Sequence, residues 1–202
     1  MSILSRWQGK LQSRKNLKTA ARKAWRASDN HATAAKVRLR EGQVAYASRV
    51  VKRHKTVMRE KAYQQAVALI GVMEQGGNNR GTRVSQIIRE NGGSGPEPWC
   101  GDFVAYCYRA AGSTAITRAW ASVALLGRVV GVKRTASPQR GDLVRFTFDH
   151  VGLYAGKVGN EIETIEGNTG ATGAVSDGDG GDGVYRKRRS KALVRDYLRV
   201  SR

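Results

Sequence analysis

Two cysteines lie in one helical stretch of the 202-residue chain, and their positions predict different chemistry. Cys100 follows Pro96 and Pro98, which keep the approach extended because a proline disfavours the helical conformation for the residue before it. A mostly apolar run then predicts a helix that ends at Gly112. Cys100 therefore falls in the first turn of a buried helix, where free amide groups and the helix dipole stabilise an anion. A thiol in this place becomes a thiolate more readily, and the thiolate is a nucleophile.

The second cysteine, Cys107, has the opposite character. It shares a helical face with Phe103 and Ala111 and is expected to pack in the core, the usual place of a free cysteine. That role is also the alternative for Cys100. We expect no disulfide, since seven helical residues separate the two Cα atoms by about 10 Å and a bridge tolerates about 7 Å. The lack of a disulfide framework is typical of a reducing compartment.

The partners that a thiol nucleophile needs come from a predicted β-hairpin. Residues 150–155 and 161–165 read as strands on either side of a glycine-rich turn. If the turn is centred on Val158, His150 faces Glu166 with the two β-carbons about 5 Å apart. The carboxylate can then fix the imidazole tautomer and leave the other ring nitrogen to act as a base, although a one-residue bulge would break this register. Asn168, two residues on, is the other candidate for orienting the histidine.

Helices dominate the first half of the chain and strands the second. Ahead of the cysteine helix, helices are predicted at residues 3–27, 32–55 and 62–73 and through Val84 and Ile88. After it come a helix from Trp120 to Leu126 and strands at residues 129–133, 143–148, in the hairpin and at 193–200. We place a domain boundary near residue 58, which gives an appendage of residues 1–58 and a main domain of residues 59–202.

The net charge of +20 is unevenly distributed along the chain. Residues 1–60 hold 16 Lys and Arg against 3 acids, a net charge of +13, whereas residues 61–202 have a net charge of +7. Thin apolar stripes, one of which contains Val37, Val44 and Val51, predict that residues 1–58 form a basic helical hairpin. We expect it to bind an anionic cell-wall polymer or a membrane surface, with nucleic acid less favoured. A solvated spacer is the alternative.

The sequence also bears on location. No apolar stretch approaches the length of a membrane span, and residues 1–10 lack the apolar core of a secretion signal. We therefore expect the chain to be made and kept in the cytoplasm, or to leave it by a route that it does not encode.

Two charged segments near the C-terminus carry weaker signals. Asp177, Asp179 and Asp182 alternate with glycines and could hold calcium, but the spacing and the final glutamate of an EF-hand loop are missing. We expect no cofactor, with calcium as the lesser alternative. Residues 186–189, Arg-Lys-Arg-Arg, are expected to form a solvated edge before the last strand, with substrate or wall binding as the alternative.

Four short motifs in this order resemble the CHAP family of cysteine, histidine-dependent amidohydrolases and peptidases. They are Pro98-Trp99-Cys100-Gly101-Asp102-Phe103-Val104, Pro138-Gln139-Arg140-Gly141-Asp142, His150-Val151-Gly152 and Glu166-Gly167-Asn168-Thr169. Asn78-Asn79-Arg80-Gly81, ahead of the cysteine helix, adds to the resemblance. The similarity covers about residues 60–200; each motif alone is weak, and their order makes the match specific.

The resemblance implies a papain-like α+β fold, with helices packed on an antiparallel sheet, and cleavage of an amide bond in bacterial peptidoglycan. By motif, Cys100 would be the nucleophile, His150 the general base and acid, Glu166 the orienting group and Asn168 its support. The basic hairpin resembles arrangements in phage endolysins, which reach the wall through a separate membrane pore. Some family members bind calcium through an aspartate-rich segment before the cysteine; residues 92–98 contain no aspartate, so no metal requirement is implied.

Three other functions compete with a lysin. A virion-associated wall-degrading enzyme would use identical chemistry for entry. A basic structural or nucleic-acid-binding protein with an inactive hydrolase-like half fits the charge, although the set of Cys100, His150 and Glu166 argues against it. A wall-remodelling enzyme of the bacterium is disfavoured because an export signal is missing.

Overall fold

The computed structural model describes residues 3–28, 31–171 and 182–201, and in these residues the chain has an α+β fold. Five α-helices are present in the described part: α1 Ile3–Ser28, α2 His31–Ala68, α3 Thr82–Glu90, α4 Cys100–Ala110 and α5 Val123–Leu126. The strands are β1 Val132–Thr135, β2 Leu143–Phe146, β3 Val151–Val158, β4 Glu161–Thr169, β5 Gly183–Ser190 and β6 Val194–Val200. They form one antiparallel sheet in the order β1-β6-β2-β3-β4-β5. Short 3₁₀ helices span Arg118–Ala121 and Lys191–Leu193.

The chain divides into two compact units, Met1–Val57 and Met58–Arg202. In the first unit, α1 packs antiparallel to the first part of α2. Trp7 meets the ring of Tyr46 with centroids 5.7 Å apart, and further along α1 the Arg14 side chain donates to the backbone carbonyl of Gln43 at 3.3 Å. Most of the Lys and Arg side chains on these two helices are exposed, as expected of a solvated basic surface.

No helix in the described residues is both long enough and apolar enough to cross a membrane.

In the second unit, α4 is the central helix. Every residue from 100 to 108 is buried, so the helix is covered on all sides, as an all-round apolar helix requires. It contacts β3 and β4 on one side and α3 and the 3₁₀ helix Arg118–Ala121 on the other. Cys107 is fully buried here, and burial raises the pKa of its thiol far above the usual range, as the prediction of an inert core cysteine requires. Both cysteines are free.

The sheet presents two different faces, because side chains alternate along each strand. Leu153, Ile165 and Val184 face the helices and belong to the main core. The opposite face carries a smaller apolar cluster that includes Phe146, Tyr154 and Ile162. The candidate catalytic histidine lies next to this second cluster.

The hairpin register differs from the one predicted. Val158 pairs with Glu161, so the turn lies at Gly159-Asn160 rather than at Val158, and a bulge between Tyr154 and Gly156 shifts the register by one residue. Glycine at position 159 has φ +58°, the left-handed conformation that such a turn needs. Leu153 pairs with Ile165, and Glu166 therefore stands opposite position 152 instead of His150.

Two other elements also differ from the predictions. The segment after Gly112 forms only short helical pieces, Arg118–Ala121 and α5, in place of one longer helix. The basic residues 186–189 are part of a full strand, β5, which the sequence analysis missed.

Candidate active site

Cys100 is the first residue of α4, as the prolines and the apolar run predicted. The first turn is closed by the amide of Phe103, which donates to the carbonyl of Trp99 at 2.8 Å. The amides of residues 100–102 precede it and have no carbonyl partner within the helix. Cys100 is 5% exposed, so its sulfur lies at the edge of the core with an anion-stabilising helix start around it.

Two glycines bring the start of α4 against its neighbours. A β-carbon at Gly101 would lie 2.3 Å from the carbonyl oxygen of Trp120, in the 3₁₀ helix. A β-carbon at Gly167 would lie 2.6 Å from the ring of Phe103 and 2.8 Å from that of Trp99. Only glycine permits these approaches, and the second one holds the cysteine helix directly against β4 beside Glu166.

His150 lies in the short connection between β2 and β3. Its carbonyl accepts the amide of Phe146 at 3.1 Å, and this bond fixes the connection to the end of β2. The imidazole stacks on the rings of Phe146 and Phe148, with centroids 5.8 Å away in each case. With only 1% of its surface exposed, the ring is held in one orientation by this aromatic pair.

The predicted contact between His150 and Glu166 is present, although the predicted register is wrong. Nε2 of His150 lies 3.0 Å from Oε2 of Glu166. The Glu166 side chain reaches His150 diagonally by passing over Gly152, which has no side chain to block it. Since an ionised carboxylate only accepts, Nε2 carries the hydrogen and donates it, and Nδ1 is the nitrogen left to face the thiol.

Cys100 and His150 interact, as the resemblance requires. Burial works to lower the pKa of His150, but the Cys100 sulfur and the Glu166 carboxylate outweigh it and raise the pKa to about 9. Nδ1 of His150 is buried, and no described residue lies within standard hydrogen-bond distance and angle of it. The contact between Nδ1 and the Cys100 thiol is therefore looser than the hydrogen bond between Nε2 and Glu166. Catalytic hydrogen bonds of this kind commonly tighten when substrate binds.

Glu166 is fully buried and has a partner on each oxygen. Besides His150, it accepts from the Thr164 hydroxyl at 2.5 Å and from the Arg189 guanidinium at 2.6 and 3.1 Å. Burial alone would raise the pKa of Glu166, but His150 and Arg189 outweigh it and lower the pKa to about 2. The carboxylate is therefore charged at any pH at which the protein would work.

Asn168 lies two residues beyond Glu166 and is also buried. Its φ of 56° is left-handed, which asparagine tolerates better than most residues. Asn168 occupies a β-bulge, because the pairing of β4 with β5 shifts between Glu166 and Thr169. The bulge includes Gly167 as well, and it places the backbone of β4 close to the cysteine helix.

Trp99, next to the cysteine, is held by two half-buried hydrogen bonds that share the Glu74 carboxylate. Its indole donates to Glu74 at 2.8 Å, and the other Glu74 oxygen accepts the backbone amide of Asn79 at 2.7 Å. The segment Asn78-Asn79-Arg80-Gly81 therefore supports the start of α4 through Glu74, a residue that the sequence analysis did not single out.

The two motif aspartates have structural partners. Asp102 accepts from Asn91 at 2.6 Å and from Arg118 at 2.8 Å, and burial raises its pKa. Asp142 accepts from Arg199 at 2.6 Å, and this bond joins the start of β2 to β6. It also accepts from the Gln139 amide at 2.8 Å. Neither carboxylate is hydrogen-bonded to the cysteine or the histidine, so both stabilise the elements around the site.

Sequence reasoning missed Arg189. The prediction of a solvated edge at residues 186–189 is wrong for two of the four, because Lys187 and Arg189 are buried while Arg186 and Arg188 are exposed. The signal was the strand period itself: alternate residues of a strand face opposite sides, so a run of four cations cannot be solvated throughout if one face is covered.

The aspartates of the predicted acidic loop, Asp177 and Asp179, lie outside the described residues. Within residues 3–28, 31–171 and 182–201, no three His, Cys, Asp or Glu side chains are grouped so that they could hold a metal ion.

No protein-family model, curated protein or solved structure matches this chain. Function therefore has to be inferred from the site itself.

Proposed function

We propose that this protein is a peptidoglycan hydrolase in which a CHAP-like, papain-type domain of residues 59–202 cleaves an amide bond of the bacterial cell wall. The observation that carries the proposal is the arrangement around His150, whose Nε2 is held by Glu166 at 3.0 Å while the ring also interacts with Cys100. A nucleophile, a base and an orienting group in this order form the constellation of thiol hydrolases.

The reaction follows from these positions. The Cys100 thiolate attacks the carbonyl carbon of the scissile amide, and the amides at the start of α4 stabilise the oxyanion of the tetrahedral intermediate. His150, as the imidazolium that its raised pKa favours, gives its Nδ1 proton to the leaving nitrogen. The carbon–nitrogen bond breaks, the amine leaves, and Cys100 is left as a thioester.

In the second half of the cycle, His150 is neutral and can accept a proton at Nδ1. It takes one from a water molecule as the oxygen attacks the thioester, the carbon–sulfur bond breaks, and the acid product leaves. The thiolate–imidazolium pair is then restored. Glu166 keeps Nε2 protonated throughout both halves, so the same nitrogen, Nδ1, exchanges protons each time. Asn168 is assigned a supporting place beside Glu166.

The basic helices of residues 1–58 complete the proposal. Peptidoglycan carries anionic polymers, and a cationic surface concentrates the enzyme on them with an affinity that falls as salt rises. An endolysin acting on the wall after release from the host cytoplasm fits this design. Entry of a virion would use the same domain, and detection of the protein in purified particles would assign it to entry.

The test is digestion of purified cell walls of several chemotypes, with mass spectrometry of the soluble fragments. Cys100→Ala should release none, whereas Cys107→Ala, which removes the other buried thiol of the same helix, should release the same fragments as the unmodified chain. The fragment masses would identify the bond as sugar–peptide or peptide–peptide. No release by the unmodified chain from any wall, together with salt-sensitive DNA binding, would reject the hydrolase and favour a basic nucleic-acid-binding protein.

A further inference from the structure

We propose that Arg189 is a positioning residue of this site, which acts through Glu166 to hold the His150 imidazole in its working orientation. The inference depends on the proposed hydrolase function for its kinetic part. The contacts involved join β4, β5 and the connection that carries His150.

The Arg189 guanidinium donates two parallel hydrogen bonds to the Glu166 carboxylate. Arg189 Nε donates to Glu166 Oε1 at 3.1 Å, and a terminal nitrogen donates to Oε2 at 2.6 Å. Arg189 is 3% exposed, so water screens this ion pair little. A planar fork on a planar carboxylate fixes distance and rotation together, which a lysine cannot do.

The hydrogen bonds of Glu166 allow its carboxylate only one orientation. Oε2 is shared between Arg189 and Nε2 of His150, and Oε1 is shared between Arg189 and the Thr164 hydroxyl. A carboxylate offers about four lone-pair positions, and all of them are taken. Rotation of the carboxylate to any other angle would break at least two bonds, so the acceptor that faces His150 is fixed before substrate arrives.

Arg189 and His150 also share one support. The guanidinium carbon lies 5.6 Å from the ring centre of Phe146 and 5.8 Å from that of Phe148, the same two rings on which the imidazole stacks. Thr169 accepts a further bond from Arg189 at 3.3 Å. The guanidinium and the imidazole therefore pack on the same aromatic pair, and the Glu166 carboxylate is hydrogen-bonded to both of them.

The charge of Arg189 matters as well as its shape. Glu166 is faced by His150 and by Arg189 and Lys187 of β5, and His150 is faced in turn by Cys100 of α4. Removal of a buried cation from this group strengthens proton binding to every remaining member. Both limbs of the activity–pH profile should then move to higher pH.

Three variants of the full chain separate shape from charge. Arg189→Met removes both, Arg189→Lys keeps the charge and loses the fork, and Arg188→Met removes an exposed cation from the neighbouring position as the control. Wall digestion should show kcat reduced by roughly 10²-fold in Arg189→Met, with KM little changed, because misplacement affects the chemical step. Its pH profile should shift upward by about one unit. Arg189→Lys should lose kcat without that shift, and Arg188→Met should change neither.

A second measurement needs no substrate. The chain has three histidines, and the imidazole signals of His150 can be followed by NMR as pH is varied. We expect its titration to move to higher pH in Arg189→Met and to remain in place in Arg189→Lys and Arg188→Met. If Arg189→Met does not fold, Arg189→Lys carries the test through its loss of kcat.

The possible failures are distinguishable. If the unmodified chain releases no wall fragments, the proposed function fails, and the NMR titration still decides whether Arg189 controls His150. If the chain is active but the titration of His150 in Arg189→Met is unmoved, or if Arg189→Lys keeps full kcat, Arg189 has only a packing role and the inference is overturned.

Discussion

The side chain of Glu166 lies directly over the backbone of Gly152, so close that a β-carbon there would be 2.6 Å from Glu166 Cγ. This is the path by which the carboxylate reaches His150 from a strand position that does not face it. Position 152 must therefore remain without a side chain for the His150–Glu166 contact to form.

Gly152→Ala should reduce wall-hydrolysing activity by roughly 10²-fold, because it displaces the orienting carboxylate while leaving the nucleophile in place. Gly156→Ala, in the same strand and with open space around its α-carbon, is the matched control and should keep activity. The measurement is initial rate per folded molecule, with folding checked by circular dichroism. Equal activity in the two variants would show that Glu166 can reach His150 by another path.

Glu166→Gln should destabilise the protein by roughly 3–5 kcal/mol, because it leaves Arg189 as a buried cation without its counter-charge. The double variant Glu166→Gln, Arg189→Met removes both charges and should recover much of that stability while remaining inactive. Urea unfolding of the single and double variants measures the coupling. Additive losses of stability would contradict a direct ion pair.

Stability should depend on pH in two opposite ways. The pKa of His150 is raised from 6.5 to about 9, so its contribution is complete below pH 6.5 and is lost as pH rises through 9. The pKa of Glu166 is lowered from 4.5 to about 2, so its contribution is present above pH 4.5 and is lost as pH falls through 2. The unfolding free energy should therefore be highest between about pH 4.5 and 6.5.

His150→Gln tests the alkaline part of that profile. It should remove the loss of stability between pH 6.5 and 9, whereas His54→Gln, in the other unit, should leave the loss unchanged. The measurement is denaturant unfolding at about pH 5.5, 7.5 and 9.5. These values lie below, within and above the interval from 6.5 to about 9 in which the His150 contribution is lost. The same alkaline loss in both variants would assign the dependence to other groups.

The two thiols should differ in reactivity. Iodoacetamide should modify Cys100 in the native protein, because this residue is at the edge of the core beside an imidazolium, and should abolish activity. Cys107 is fully buried with a raised pKa and should react only after unfolding. Peptide mass spectrometry of the labelled protein identifies the site. Native labelling of Cys107 at a similar rate would contradict the structure of α4.

Binding to the cell wall should depend on the exposed cations of the first unit. Replacing four of them by Gln should weaken wall binding at low salt by about tenfold and flatten its salt dependence. The four are Arg6, Lys15, Lys23 and Lys52. The same change at four exposed cations of the second unit is the control and should have a smaller effect; these are Lys133, Lys157, Lys191 and Arg195. Co-sedimentation with wall fragments over a salt series measures both.

Local sequence signals determined where the proposed nucleophile, Cys100, lies. Two prolines precede an apolar run and a glycine follows it, and these signals mark the start and the end of a helix. The helix α4 begins at Cys100, as they predict. The uneven charge is likewise a property of the sequence alone. His150 and Glu166 could be paired because a hairpin is a short-range structure, although the turn lies at Gly159-Asn160 rather than at Val158 and the pair is diagonal rather than opposite.

Only the tertiary structure decided which residues complete the site. Arg189 reaches Glu166 because β5 pairs with β4 and turns that side chain inward, and Gly152 and Gly167 matter because a side chain or a helix passes within van der Waals distance of them. Strand order, register and close approach bring together residues far apart in the chain. Propensity and periodicity describe only neighbours along it, so a run of four cations looked solvated although two of them are buried.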